Sequence, residues 1–430
     1  MKISVIGGAG VRTPLLVQGL THADLPITEI ALYDTDRARL PIIGGVAAAM
    51  SADARVTTTD SVAECVTGAA FVFTSIRVGG LERRISDEGN SQRHGIAGQE
   101  TVGPAGFAMA SRTIPPMVEY AREISHAAPA AWIINFTNPV GMVTEAMRTE
   151  TSRVIGICDT PTELFEEVAL ALGLRSDRCY FDYFGLNHLG WLRQVYSGGV
   201  PQLDRLWKDP ERLRSVYRVP LFDPAVLCDL KLLPTEYVYY YDQPQRAFEN
   251  VQRAGQTRGE AIAGLTRHLF DRLSDSGTDQ VPLYNAYLAA RSSGYMQIES
   301  GGAPRAATAA AELSGYDKIA LSVVRAIHFN ANAIVPLSVA NRGNIPDLLD
   351  GDVVEVPCLV NANGALPMHV GPVPDRVRPL LTRVKDYERR TVAAALARSP
   401  ERARDALAAN PLVPDMATAE RLVAELAPLW

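Results

Sequence analysis

The stretch that leaves the fewest folds open lies near the N-terminus, where KISVIG (2–7) reads as a buried strand and GGAGVRT (7–13) as a tight turn. An apolar pattern at 14–21 then reads as a helix. The motif recurs. EIALYD (29–34), AAFVFTS (69–75), AWIINF (131–136) and RVIGIC (153–158) read as further strands, with helical patterns around 36–50, 113–126 and 139–149. Strands that are apolar on both faces and alternate with helices predict a mostly parallel, doubly wound α/β sheet.

The turn narrows this to a Rossmann-type, NAD-binding domain over 1–158. Gly8 and Gly10 fall at the first two glycines of the dinucleotide fingerprint, and Thr13 at the third. The first glycine permits the sharp turn, and the second lets backbone approach a pyrophosphate at a helix N-terminus. Asp34 ends the second strand, where a carboxylate accepts a ribose 2′-hydroxyl, which favours NAD over NADP. The plainer reading is a glycine-rich turn in another α/β protein, with Asp34 merely solvated. From 159 to 430 the pattern changes to a mixed α+β domain. Residues 179–199 alternate as strands, and 381–408 and 416–429 read as amphipathic helices. No repeat, low-complexity tract or linker is evident, so the second half is expected to pack on the first and close the site.

A chain of 430 residues exceeds the roughly 100–200 residues usual for one domain. Its net charge of −6 leaves no basic surplus to neutralise phosphates, which argues against a nucleic-acid partner. No apolar run of about 18 residues marks a membrane span, and MKISVIGGAG lacks the pattern of a signal peptide. The five cysteines form no Cys-x-x-Cys pair, which fits free thiols in a reducing cytoplasm.

Other residues point past simple hydride transfer, each with a bland alternative. Arg77 opens a polar, glycine-rich segment (75–106) after a strand, where it either faces an anionic or hydroxyl-rich substrate or is a surface arginine. Asn138 in NFTNP either holds a sugar hydroxyl or starts a turn. Cys158 and His188 offer sulfur and imidazole, a pair suited to a borderline-soft divalent ion. Thirty positions separate them, so core packing is the better explanation of both at this level. Tyr237, Tyr239, Tyr240 and Tyr241 crowd one short run, as core packing or as a source of a tyrosine base.

Taken in order, GGAG-RTP, LYDTD, RVGGLE-R, GQET-GP, INFTNPVGMVTEA, GICDTP, GLNHLGW, the P-T-E-Y run, VVEVPCLVNANG and NPLVP resemble family 4 of the glycoside hydrolases. These are the NAD- and metal-dependent glycosidases, and the resemblance covers nearly the whole chain. It is closest to the 6-phospho-β-glucosidases. It implies hydrolysis of a phosphorylated glycoside by oxidation at C3, C2 proton abstraction, elimination of the aglycone, water addition and re-reduction. The family is an exception to the usual two-carboxylate scheme. The resemblance also implies that Cys158 and His188 bind Mn²⁺ or another divalent metal and that Tyr237 is the C2 base. Arg77, Asn138 and Arg291 would contact substrate, and Gly8, Gly10 and Asp34 the NAD. Asp159 stands where many β-specific members carry asparagine; some α-specific members carry aspartate there as a leaving-group acid. A homodimer or homotetramer is implied by resemblance alone. The rival readings are a family member acting on α-linked or unphosphorylated glycosides, an NAD-dependent 2-hydroxy-acid dehydrogenase, and a non-catalytic sensor on the same scaffold.

Overall fold

The computed structural model describes residues 1–275, 279–303 and 315–429. Its strands are β1 (Lys2–Ile6), β2 (Glu29–Tyr33), β3 (Arg55–Thr59), β4 (Ala69–Thr74), β5 (Trp132–Asn135), β6 (Val154–Gly156), β7 (Cys179–Leu186), β8 (Leu189–Ser197), β9 (Val200–Pro201), β10 (Leu233–Pro234), β11 (Ala333–Ala340), β12 (Val353–Asn361) and β13 (Gly364–Pro367).

Nine of them form one sheet in the order β13-β12-β11-β6-β5-β4-β1-β2-β3. The first six strands are parallel. Ile3, Val5, Ile6, Val72 and Phe73 are each at most 1% exposed, as expected for strands covered by helices on both faces. The order reverses between β1 and β4, so this is a doubly wound, Rossmann-type sheet with its crevice at the carboxyl ends of those strands.

Three antiparallel strands from the second half extend this sheet past β6. The join is a single pair, Ser338 against Gly156. A Cβ on Gly156 would lie 2.6 Å from Thr144 Oγ1 and 2.8 Å from Ser338 Cβ, so only hydrogen fits between the helix and the incoming strand. The remaining strands form a smaller antiparallel sheet in the order β10-β8-β7, with β9 on β8. β7 and β8 are a hairpin whose turn is Asn187–His188.

Three departures from the sequence reading have physical causes. The segment 75–106, read as polar and glycine-rich loop, contains a helix over Gly80–Arg93. That helix buries Arg84, Asp87, Glu88, Asn90 and Ser91, so its inward face is polar and carries no apolar period. The helix expected at 113–126 runs from Gly103 to Ala127 with Pro115 and Pro116 inside it. The amphipathic stretch 381–408 is two helices, Arg378–Ala397 and Pro400–Ala409, broken at Arg398, which has φ 49°.

Gly190 shows how tightly the hairpin is drawn onto the main sheet. A Cβ there would collide with the hydroxyl of Tyr183, whose proton goes to Glu355 Oε2 at 2.7 Å. Gly190→Ala is therefore expected to destabilise the fold by about 1–3 kcal/mol, the range for overpacking a filled core. The midpoint of thermal unfolding measures it, and an unchanged midpoint would contradict this packing.

Candidate active site

The glycine turn is tied to the end of β2. Gly7 and Gly8 both donate their N–H to Tyr33 O, at 2.9 and 2.8 Å, and Ala9 N–H donates to Asp34 Oδ2 at 2.9 Å. Gly7 has φ 97°, and a Cβ on it would run into the backbone at Ser75. Gly8 has room for hydrogen only, since a Cβ would sit 2.8 Å from that of Leu32. Gly10 closes the turn through its N–H to Gly7 O at 3.0 Å. The helix that follows, Thr13–Thr21, has no side-chain cap. Uncapped N–H groups behind a glycine turn, with a carboxylate alongside, fit the pyrophosphate and ribose of a dinucleotide. Gly7, not singled out by the sequence reading, is the glycine whose backbone conformation most demands that residue.

The ends of β4 and β5 are braced against each other. Asn135 Oδ1 accepts from Thr74 Oγ1 and from Thr137 N–H, both at 2.9 Å, and Thr137 Oγ1 accepts from Ile76 N–H at 3.1 Å. Asn138 follows, and its Oδ1 is buried without a hydrogen-bond partner. An orphaned amide oxygen at a strand end fits a hydroxyl of a bound sugar. Arg77, after β4, pairs with Glu100 at 2.5 Å, and Arg84 reaches the same carboxylate at 2.9 Å. Burial pushes Glu100 up, but Arg77, Arg84 and Arg291 outweigh it and hold the carboxyl at about 2. Arg291 thus lies near this cluster, with Arg12 also close and its own Nη1 donating to Tyr287 OH at 3.2 Å.

Cys158 follows β6 and is 5% exposed. Burial, Glu355 and Asp159 push its thiol well above the usual range. Asp159 Oδ2 lies 3.6 Å from Arg12 Nη1, which joins the loop after β6 to the glycine turn. From the smaller sheet the hairpin turn presents His188, 7% exposed, in the left-handed region at φ 64°. Its ring stacks on Tyr237, with centroids 3.9 Å apart and planes within 10°. Burial pushes the imidazole down to about 4, against the carboxylates of Asp159 and Glu100. Tyr237 OH lies 3.2 Å from Tyr295 OH, whose single proton goes to Glu236 Oε1 at 2.7 Å. Burial, Glu236 and Glu100 push the Tyr237 phenol well above 10, and Cys158 adds to the push.

The structure therefore gathers Gly8, Gly10 and Asp34 at one edge of the crevice, and Cys158, Asp159, His188 and Tyr237 at another. Arg77 and Arg291 are linked to these through Glu100. A buried sulfur and a neutral imidazole fit a borderline-soft divalent ion. Among the described residues no group of three or more His, Cys, Asp or Glu is arranged for a metal, so protein would supply two ligands and leave positions for substrate oxygens. Sequence reasoning missed Thr101, Tyr295 and Glu355, and gave Glu100 no role beyond its place in the polar segment. GQET and VVEVP were legible as motifs, but nothing in their spacing tells which side chain faces the site.

His188 gives a pH signature. Its folded pKa of about 4 lies below the roughly 6.5 of an unfolded histidine, so the unfolded chain takes the proton first. The associated stability is complete above about pH 6.5 and is lost as pH falls toward 4, by ~3 kcal/mol at most. Thermal midpoints of the metal-free protein at stepped pH should fall more steeply than those of His188→Gln. Parallel curves would contradict the burial described.

Residues 2–174 match the family described as family 4 glycosyl hydrolase, and residues 183–413 match the family 4 glycosyl hydrolase C-terminal domain. A probable 6-phospho-β-glucosidase of Bacillus subtilis is 31% identical over 445 residues, spanning 99% of this chain and 95% of the relative. The 6-phospho-β-glucosidase of Thermotoga maritima, solved with NAD and glucose-6-phosphate, has a TM-score of 0.86 at 28% identity, over 100% of this chain and 98% of that one. The same enzyme solved with manganese, NAD⁺ and glucose-6-phosphate gives 0.84 at 28% identity, over 99% and 97%. A 6-phospho-α-glucosidase from gut microorganisms, in complex with NAD and Mn²⁺, gives 0.83 at 25% identity, over 100% and 98%. With both halves matched in order along nearly its whole length, the chain belongs to family 4 of the glycosyl hydrolases.

Proposed function

We propose that this protein hydrolyses 6-phospho-β-glucosides with NAD⁺ and a divalent metal, Mn²⁺ or another, and with no net redox change. The observation that carries the reading is the buried stack of His188 on Tyr237, with Cys158 at the carboxyl end of β6 close enough to act on that phenol. The sensor reading explains neither a buried thiol and imidazole facing one phenol nor the orphaned amide of Asn138.

Gly8 and Gly10 allow the dinucleotide phosphates to approach the backbone, with Asp34 on the ribose. Cys158 and His188 would hold the metal. The bound groups supply a reversible hydride acceptor and a Lewis acid. Oxidation of the sugar at C3 acidifies the proton on C2, and Tyr237 is the base that takes it. In the protein alone this phenol is held protonated by burial, Glu236 and Glu100; a neighbouring cation favours the phenolate. Departure of the aglycone, water addition at C1 and return of the hydride at C3 complete the hydrolysis. Asn138 Oδ1 accepts a sugar hydroxyl. Arg77 and Arg291, both drawn toward Glu100, supply the guanidinium groups suited to a phosphorylated substrate.

The β preference rests on the first relatives and on the run of β-like motifs. The second reading, cleavage of α-linked 6-phosphoglucosides, is favoured by one residue, Asp159, in the position of a leaving-group acid. Its pairing with Arg12 commits that carboxylate to the glycine turn. The reading also puts the enzyme in the cytoplasm as a homodimer or homotetramer. Its five cysteines are all free, as a reducing compartment allows, and no helix among the described residues is long and apolar enough to cross a membrane.

The test is release of p-nitrophenol from the β-glucoside 6-phosphate with NAD⁺, Mn²⁺ and reductant, each omitted in turn. Release that needs both NAD⁺ and Mn²⁺, without NADH accumulating, is the expected outcome. Release from the α-anomer only would select the second reading, and stoichiometric NADH would select a dehydrogenase. Tyr237→Phe should lower kcat by about 10²–10⁴, the range for removing a general base, and should abolish exchange of the C2 hydrogen with deuterated solvent. Exchange at the original rate would remove Tyr237 from the base role.

A further inference from the structure

His188 is held by more than its turn. Thr101 Oγ1 lies 2.8 Å from His188 Nδ1, and Gln99 Oε1 lies 2.8 Å from Thr101 Oγ1 and 2.6 Å from Thr101 N. All three side chains are buried, at 7–8% exposure. We propose that Gln99 and Thr101 are positioning residues that fix His188 in the Nδ1–H tautomer, so that its Nε2 lone pair is presented for the metal. The inference rests on the reading of His188 as a metal ligand.

The assignment follows from counting protons. A backbone N–H can only donate, so the Gln99 atom facing Thr101 N is the amide oxygen rather than the nitrogen. That oxygen only accepts. The Thr101 hydroxyl has one proton, and a second oxygen at 2.8 Å requires it between them. The hydroxyl oxygen then meets His188 Nδ1 as an acceptor, so Nδ1 carries the hydrogen. An imidazole that binds a metal is neutral, and with Nδ1 protonated its lone pair is on Nε2.

The rest of the pocket removes the alternatives. Stacking on Tyr237 blocks rotation of the ring out of this plane. Gly106 packs against the Thr101 backbone so closely that a Cβ would collide with it, which leaves that backbone little room to shift. The chain of donors thus runs one way, from imidazole to threonine to glutamine. Partners of this kind orient metal-bound histidines and influence affinity strongly.

Two measurements on the full-length protein test this. Long-range ¹H–¹⁵N spectra of the metal-free protein, with the His188 signals identified by their loss in His188→Gln, should show the Nδ1–H tautomer. The Nε2–H tautomer in the wild type would overturn the proposal without any Thr101 variant. Mn²⁺ affinity, read from the electron paramagnetic resonance signal of free Mn²⁺, should weaken about 10–100-fold in Thr101→Val. Thr101→Ser should restore it. Gln99→Met should also weaken binding, because the freed threonine proton can then turn toward Nδ1. Thr101→Val with wild-type affinity, while His188→Gln loses binding, would overturn the relay alone. If His188→Gln binds Mn²⁺ as the wild type does, the metal reading itself fails.

Discussion

The geometry of the site depends on one buried carboxylate. Glu355, 1% exposed on β12, accepts from Tyr183 OH at 2.7 Å through Oε2 and from Asn187 Nδ2 at 3.3 Å through Oε1. Tyr183 is on β7 and Asn187 is in the turn that carries His188. Cys158 belongs to the main sheet and His188 to the smaller one, so Glu355 is a buried polar contact that helps set their relative position. Burial raises it to about 7, and the hydrogen bonds it accepts from Tyr183 and Asn187 oppose that push. A buried acid with several donors around it is costly to disturb, because each lost partner leaves a desolvated polar atom.

A second set of buried charges holds the other wall. Arg84 and Glu88 are nearly inaccessible, and Glu88 Oε2 also accepts from Gly259 N–H at 2.8 Å. A Cβ on Gly259 would lie 2.6 Å from that oxygen, so helix Arg258–Leu273 can approach only through a glycine. This helix and its neighbour Gln280–Ser293 dock on the nucleotide side through Leu269, Leu273, Tyr284 and Tyr287, and Tyr284 donates to Val11 O at 2.8 Å. Arg291 is placed by that docking. The ionic wall and the apolar cluster therefore act together: one fixes Arg77 and Arg84, the other brings in Arg291.

What was legible in the sequence was what is local. β1, β2, β4, β5 and β6 could be read because their residues are apolar on both faces, and Gly8, Gly10, Asp34, Asn138 and Cys158 because each stands at such a strand's end. β3 was missed because RVTTT lies on the sheet's edge and is only half-buried. The helix Gly80–Arg93 was missed because it turns charged residues inward, which no hydrophobic period reveals. Glu355 bonds to a residue 172 positions away and Thr101 to one 87 away. Such pairings arise only once the hairpin has folded onto the sheet, and spacing along the chain carries no record of them.

Burial governs the titration of the assembled site in the protein alone. Without a cation, three of the groups proposed for chemistry are held in their neutral forms: the Cys158 thiol and the Tyr237 phenol are pushed up, and the His188 imidazole is pushed down. Burial is the first cause in all three. Nearby carboxylates reinforce it for the thiol and the phenol and oppose it for the imidazole. The same burial that silences these groups sharpens their response to a positive charge, because a low-dielectric pocket strengthens each Coulomb interaction. A divalent ion held by Cys158 and His188 would favour the thiolate directly and would favour the phenolate of Tyr237, whose ring stacks on that imidazole. Neutral, dry and crowded groups at the strand ends are thus consistent with chemistry that waits for its cofactors, and with a base that gains strength only when the sugar's oxygens and the ion arrive together.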